Sequence, residues 1–252
     1  MSKSSLFDIS GKIACVTGAS SGLGRAAATM LAEAGARVVG VARRSEQLQD
    51  WQTQAKGETA IVVADLCDRA SLMDYSKSIC DCFGAPDILI NAAGINNRQI
   101  SDEVTSEGWD QTLNLNLAAP FFLAQAFVPE MKKRNWGRIV NFASLQSRRA
   151  FPGGTAYGAS KGGVEQLTRS MAESWSPYGI TANAVAPGFF HTELTGAVFA
   201  DPELAAHNAA QTCIGRNGDP SDLDGPILFL CSNASAYITG QVLFVDGGFT
   251  AK

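Results

Sequence analysis

Residues 12–24, "KIACVTGASSGLG", pass from a strand pattern to a helix start in a single turn, and that passage decides the fold. Residues 13–17 form a continuous apolar run, as expected of a strand covered on both faces rather than one. Gly18, Gly22 and Gly24 follow, and a run of Ala, Met and Leu begins a helix. Glycines at such a turn permit a tight reversal. They also let backbone N–H groups approach a phosphate at the helix N-terminus, where the dipole favours negative charge. The spacing Gly-x-x-x-Gly-x-Gly differs by one residue in its first gap from the common dinucleotide fingerprint. Glycine-rich turns of this kind also serve packing alone.

Working outward, the same rhythm repeats. Strand-like runs lie at 12–17, 37–42, 59–64, 87–91, 138–143, 180–186 and 241–245. Helix-length segments of mixed polarity lie between them, at 23–34, 69–83, 108–132, 157–176 and 221–231. Alternating strands and helices predict an α/β fold: a doubly wound parallel sheet with helices on both faces. No linker, charge block or repeat divides the chain, so residues 1–252 are read as one domain. The stretch 187–220 opens with Pro187-Gly188 and closes with Asp219-Pro220. It is the weakest for regular structure, and a connection that long is expected to be a functional loop or lid.

Composition narrows the function. The chain has 252 residues, 46% apolar, enough for a sizeable core, and a net charge of −4 argues against nucleic acid or an anionic membrane as partner. No apolar run reaches the roughly 20 residues of a membrane-spanning helix, and residues 1–18 lack a signal-peptide core. A cytoplasmic enzyme is expected. Cysteines stand at 15, 67, 80, 82, 213 and 231, and the only histidines are His191 and His207. Cys80-Asp-Cys82 is too tight for the usual zinc spacing, so no metal is expected and the thiols read as reduced.

A second stretch carries the chemistry. In "TAYGASKGG", residues 155–163, Tyr157 and Lys161 stand four apart among small residues. On a helix they share a face. A phenol beside an ammonium is a poor core filling but a workable proton carrier. Gly158, Ala159, Gly162 and Gly163 would let something flat approach the backbone.

Residues 17–24, Asn91-Ala-Ala-Gly94, Asn116, Ser144, Tyr157-x-x-x-Lys161 and Pro187-Gly188 occur in the order and spacing of the short-chain dehydrogenases/reductases. The chain resembles that family from about residue 8 to Asp246-Gly-Gly248. The resemblance implies a seven-stranded Rossmann fold, a nicotinamide cofactor and a homotetramer. It implies that Asn116, Ser144, Tyr157 and Lys161 are catalytic, with Asn116 holding a water that relays protons through Lys161; Asn114, two residues earlier, is the competing position. It implies that Gly18, Gly22 and Gly24 line the diphosphate, with Ser20, Ser21 and Leu23 beside them. Asp65 and Leu66 would meet the adenine, Asn91, Ala92 and Gly94 the adenosine side, and Pro187 and Gly188 the nicotinamide, with Thr192 a further cofactor contact.

For catalysis, unperturbed tyrosine titrates near pH 10, so work at neutral pH needs a shift of about 3 units. A neighbouring lysine favours phenolate by its charge, and Lys161 could also hold the nicotinamide ribose. Ser144 follows a strand-like run, at the edge where open sheets bind ligands, and its hydroxyl can donate to a substrate oxygen.

NADP is expected over NAD. The second strand ends in Ala42-Arg43-Arg44, with no acid before Glu46. A guanidinium suits a 2′-phosphate, whereas NAD binders usually place a carboxylate there for the ribose diol. The substrate is less legible. Arg98, Gln146, Arg148, Arg149 and His191 are the candidates, and their amides and guanidiniums suit a small polar molecule such as a sugar, sugar acid or polyol. The tail resembles the gluconate 5-dehydrogenase-like members of the family, and equally the 3-oxoacyl-(acyl-carrier-protein) reductases. An acidic carrier protein would need a basic docking patch, for which Lys132, Lys133 and Arg134 are the compact run. A non-catalytic nucleotide sensor on the same fold is the reading from another class. Apolar residues around 108–132 and 157–176, namely Phe121, Phe122, Phe127, Val128, Leu167, Met171 and Trp175, predict a subunit interface.

Overall fold

Seven short runs of small and branched apolar residues lie side by side in the computed structural model, which describes residues 6–252. Residues 1–5, within the stretch expected to lack a signal-peptide core, lie outside the described residues. The strands are β1 Ile13–Thr17, β2 Arg37–Ala42, β3 Thr59–Val63, β4 Ile88–Asn91, β5 Gly137–Phe142, β6 Ile180–Pro187 and β7 Val242–Val245. All pair in parallel in the order β3-β2-β1-β4-β5-β6-β7. Each agrees with its expected run to within a residue or two, because a strand sandwiched between helices has apolar side chains on both faces.

The helices are α1 Gly22–Glu33, α2 Ser45–Gln54, α3 Leu72–Phe83, α4 Ser106–Leu113, α5 Ala119–Arg134, α6 Thr155–Trp175, α7 Gly196–Phe199, α8 Pro202–Gln211 and α9 Asp224–Cys231. Strand residues alternate between two cores. Val16, Ile88 and Ile90 meet Leu31, Leu48, Trp51 and Ile227 of α1, α2 and α9. Cys15, Leu89 and Ile139 meet Ile79, Leu123, Phe127 and Met171 of α3, α5 and α6. Gly40 in β2 makes room for Trp51, since a Cβ there would lie 2.5 Å from the indole. Trp51 is fully buried, an anchor whose loss costs about 3–5 kcal/mol.

Four expectations change. The span 108–132 is not one helix: α4 ends at Leu113, a π-helical turn covers Asn114–Ala118, and α5 follows. The wider turn lets Asn116 reach back to residue 95. The stretch 187–220 is more regular than expected. It holds α7 and α8, with the Asp201 carboxylate capping α8 by accepting from the N–H of Glu203 and Leu204. The decapeptide Ser45–Gln54 has too few apolar residues to announce a helix, yet Leu48 and Trp51, three apart, share the face it buries. Phe127, Val128 and Met171 are core residues, not surplus surface. Phe121, Phe122, Leu167 and Trp175 remain half-buried, with Phe121 stacked 6.4 Å from Trp175. Among the described residues no helix is long and apolar enough to cross a membrane.

Candidate active site

Strand order reverses between β1 and β4, and the carboxyl ends of the central strands open there into a cavity of about 800 Å³. Crevices at such switch points are where open α/β sheets bind ligands.

The turn after β1 forms one end of the cavity. Gly18, Ser20, Ser21, Gly22, Leu23 and Gly24 all line it. Gly18 has φ +76°, and a Cβ on it would stand 2.9 Å from the Ala93 nitrogen, so no other residue fits without strain. The Thr17 hydroxyl accepts from the N–H groups of Ala92 and Ala93, both at 3.1 Å, and draws the end of β4 against this turn. Arg43 and Arg44 reach the same end from β2. Arg44 donates from Nη2 to the hydroxyls of Ser20 at 3.1 Å and Ser21 at 2.6 Å, and from Nη1 to Glu193 at 2.7 Å. Hydroxyls, free turn backbone and a guanidinium at a helix N-terminus fit a phosphorylated dinucleotide. Leu66, Ala92 and Gly94 line the cavity along the sheet, and Pro187, Gly188 and Thr192 line its middle.

Ser144, Tyr157 and Lys161 line the other end. Ser144 sits just past β5, its Oγ accepting from the Gln146 N–H at 3.1 Å. Ser147 then donates to the Lys161 carbonyl at 2.9 Å, fixing this loop on α6. Burial pushes the Tyr157 phenol up; the Ser144 hydroxyl, and then the charge of Arg98, pull it down. Lys161 is buried and donates to the Phe142 carbonyl, its Nζ 5.7 Å from the Tyr157 ring centre. Desolvation lowers its pKa to about 8. The Arg98 charge is thus a further cation that favours the phenolate, beside the Lys161 expected from the sequence. Arg98 is held in a left-handed conformation, φ +51°, and donates to the Leu194 carbonyl at 3.1 Å.

Six expected site residues do not line the cavity. Asp65 accepts from the Cys67 N–H and faces Arg43 at 4.0 Å. Asn91 is spent inside the sheet, donating to Asn141 at 2.8 Å, which in turn donates to Thr168 of α6. Asn116 is wholly committed: it accepts from the Ile95 N–H and donates to the Ile95 carbonyl and Ser160. It stands behind the cavity wall, where a Cβ on Gly94 would lie 3.2 Å from its Oδ1 and 3.7 Å from Lys161 Nζ. Arg148 turns away to the buried carboxylate of Glu165, at 2.7 Å. Arg149 lies over the Phe249 ring, and His191 packs on Phe199 at 4.7 Å. Gln146 does line the cavity, and its Oε1 is buried without a hydrogen-bond partner.

Sequence reasoning expected a functional loop over 187–220 but did not name most of the residues by which it walls the cavity. Phe189, Phe190, Glu193, Val198 and Asn208 all line the cavity. Two aromatics directly after Pro187-Gly188 were the available signal.

A doubly wound sheet with a glycine-rich turn at one end of a cavity and Ser144, Tyr157 and Lys161 at the other fits a dinucleotide-dependent oxidoreductase. Residues 18–250 match the family described as Enoyl-(Acyl carrier protein) reductase. The chain is 42% identical to a gluconate 5-dehydrogenase of Gluconobacter oxydans, over 100% of both chains. It is 37% identical to a 3-oxoacyl-[acyl-carrier-protein] reductase of Vibrio cholerae, over 96% of this chain and 98% of the relative. Among solved structures, a gluconate 5-dehydrogenase from Burkholderia cenocepacia, in complex with NADP and tartrate, superposes with a TM-score of 0.90. That protein is 36% identical over 98% of each chain. The chain belongs to the short-chain dehydrogenase/reductase family and is an oxidoreductase acting on a CH–OH group.

Proposed function

We propose that this chain is an NADP-linked oxidoreductase that interconverts an alcohol and a carbonyl on a small sugar acid. The observation that carries the proposal is Arg98, a cation on the wall of the same cavity as Ser144, Tyr157 and Lys161. A carboxylated substrate would pair with that guanidinium, and a fatty chain would not. The likeness to gluconate 5-dehydrogenases supports the same substrate class. A tartrate, a small hydroxy acid, accompanies NADP in one of those relatives.

NADP, when bound, supplies or takes the hydride. Arg44, Ser20 and Ser21 would hold its 2′-phosphate, and the turn 18–24 its diphosphate. Tyr157 takes the hydroxyl proton during oxidation and returns it during reduction. Ser144 donates to the reacting oxygen and so shares its developing charge. Lys161 acts from behind, on α6, and Asn116 positions the Gly94–Ile95 backbone against it. Pro187, Gly188 and Thr192 would flank the nicotinamide. We further propose one domain, a homotetramer and a cytoplasmic location.

Reduction of 3-oxoacyl carrier thioesters is the second reading, supported by the Vibrio cholerae relative. Its expected basic patch is already engaged: Lys132 lies over Tyr178, Lys133 pairs with Glu130, and Arg134 pairs with Asp87 at 3.0 Å. A panel of sugar acids, neutral sugars, polyols and 3-oxoacyl thioesters, read by NADPH absorbance, separates the two. Sugar acids are expected to give the highest kcat/KM. Arg98→Gln is expected to lower it by roughly 10- to 100-fold for acids and by less for neutral polyols, which lose only the charge that favours the phenolate. Preference for acyl thioesters would reverse the assignment.

A further inference from the structure

We propose that Glu193 competes with the cofactor's 2′-phosphate for Arg44, and so sets how strongly this enzyme distinguishes NADP from NAD. The inference rests on the proposed role of Arg44 as receiver of the 2′-phosphate.

A guanidinium binds a phosphate best through two parallel N–H groups on one edge. In Arg44 that edge is divided. Nη2 serves Ser20 and Ser21, and Nη1 serves the Glu193 carboxylate at 2.7 Å. The Arg44 guanidinium, and then the Ser21 hydroxyl, hold the Glu193 carboxyl below its usual range, so one carboxylate answers to both groups expected to take the phosphate. A phosphate entering here must displace that carboxylate or stand beside a like charge. The diol of NAD carries no charge and meets no such opposition.

Glu193 is free to yield. Its side chain is 61% exposed and that of Arg44 40%, so the pair is a surface latch rather than a core element. It also opens the segment that forms the cavity wall. Glu193–Thr195 is a short 3₁₀ turn leading into α7 and α8. Thr192 before it rests on the glycine turn, where a Cβ on Gly22 would lie 3.4 Å from the Thr192 Cβ. The Arg44–Glu193 pair thus ties the phosphate end of the site to the wall that closes its substrate end. Engaging the phosphate releases that tie, whereas binding NAD leaves it in place.

Equilibrium titration of the whole enzyme with NADP⁺ and with NAD⁺, followed by calorimetry at low ionic strength, tests this. Exposed ion pairs are weak, so Glu193→Gln should tighten NADP⁺ by roughly two- to fivefold and leave NAD⁺ unchanged. Unchanged or weaker NADP⁺ binding, or equal tightening of both cofactors, would overturn the proposal. Arg44→Gln separates the underlying reading. If it weakens NADP⁺ selectively, Arg44 is the phosphate contact and the Glu193 result stands on its own. If NADP⁺ binding is untouched, the phosphate lies elsewhere and the Arg44 reading fails first.

Discussion

Lys161 is buried at the catalytic end with the Phe142 carbonyl as its hydrogen-bond partner. Its pKa falls from 10.5 to about 8, so the charged form costs the folded state up to about 3 kcal/mol. Between pH 8 and 10.5 the unfolded chain binds the proton that the folded chain releases, and stability rises with pH across that window. Lys161→Met should therefore melt higher than the parent at pH 7, with turnover lost. The gap should narrow as pH climbs from 8 towards 10.5, and a pH-independent gap in thermal melts would refute desolvation of the ammonium as its cause. Tyr157, Lys161 and Ser144 were legible in the sequence because few structural roles place a phenol, an amine and a hydroxyl at those spacings. The partners of Arg148 and Arg44 were not. Glu165 and Glu193 lie 17 and 149 residues away, and no local pattern announces a pairing made only by the fold.

Helix α1 approaches the end of β1 closely enough that a Cβ on Gly24 would lie 2.4 Å from the Gly18 carbonyl oxygen. Gly24→Ala must push the helix from the turn, costing about 1–3 kcal/mol and loosening the N–H groups proposed to hold the diphosphate. A lower melting temperature together with weaker cofactor binding is expected; a variant unchanged in both would contradict the packing described. Strands were readable almost to the residue because burial on two faces keeps them mostly apolar, Asn141 and Asn183 being buried polar exceptions. The helices were less so. The π turn Asn114–Ala118 has no periodic signature strong enough to break 108–132 into two, and α8 is polar enough to pass for loop.

Across the whole molecule, Phe121, Phe122, Leu167 and Trp175 stay half-buried on α5 and α6, although the neighbouring Phe127 and Met171 are covered by the sheet. Uncovered aromatics on adjoining helices favour a partner. Sedimentation at micromolar concentration should give a species four times the 26.5 kDa chain mass, reduced by Phe121→Glu; a parent sedimenting as a monomer would exclude the assembly. The uncovered apolar face was only partly legible, since seven apolar positions were expected on it and the sheet claims three of them. The proposed function turns on a smaller event, the transfer of one proton through Tyr157. Its most direct test is the Tyr157→Phe variant, assayed with a sugar acid while NADP⁺ affinity is measured separately. Turnover should fall by roughly 10²- to 10⁴-fold with cofactor affinity unchanged; a variant turning over within tenfold of the parent would show that the proton travels by another group.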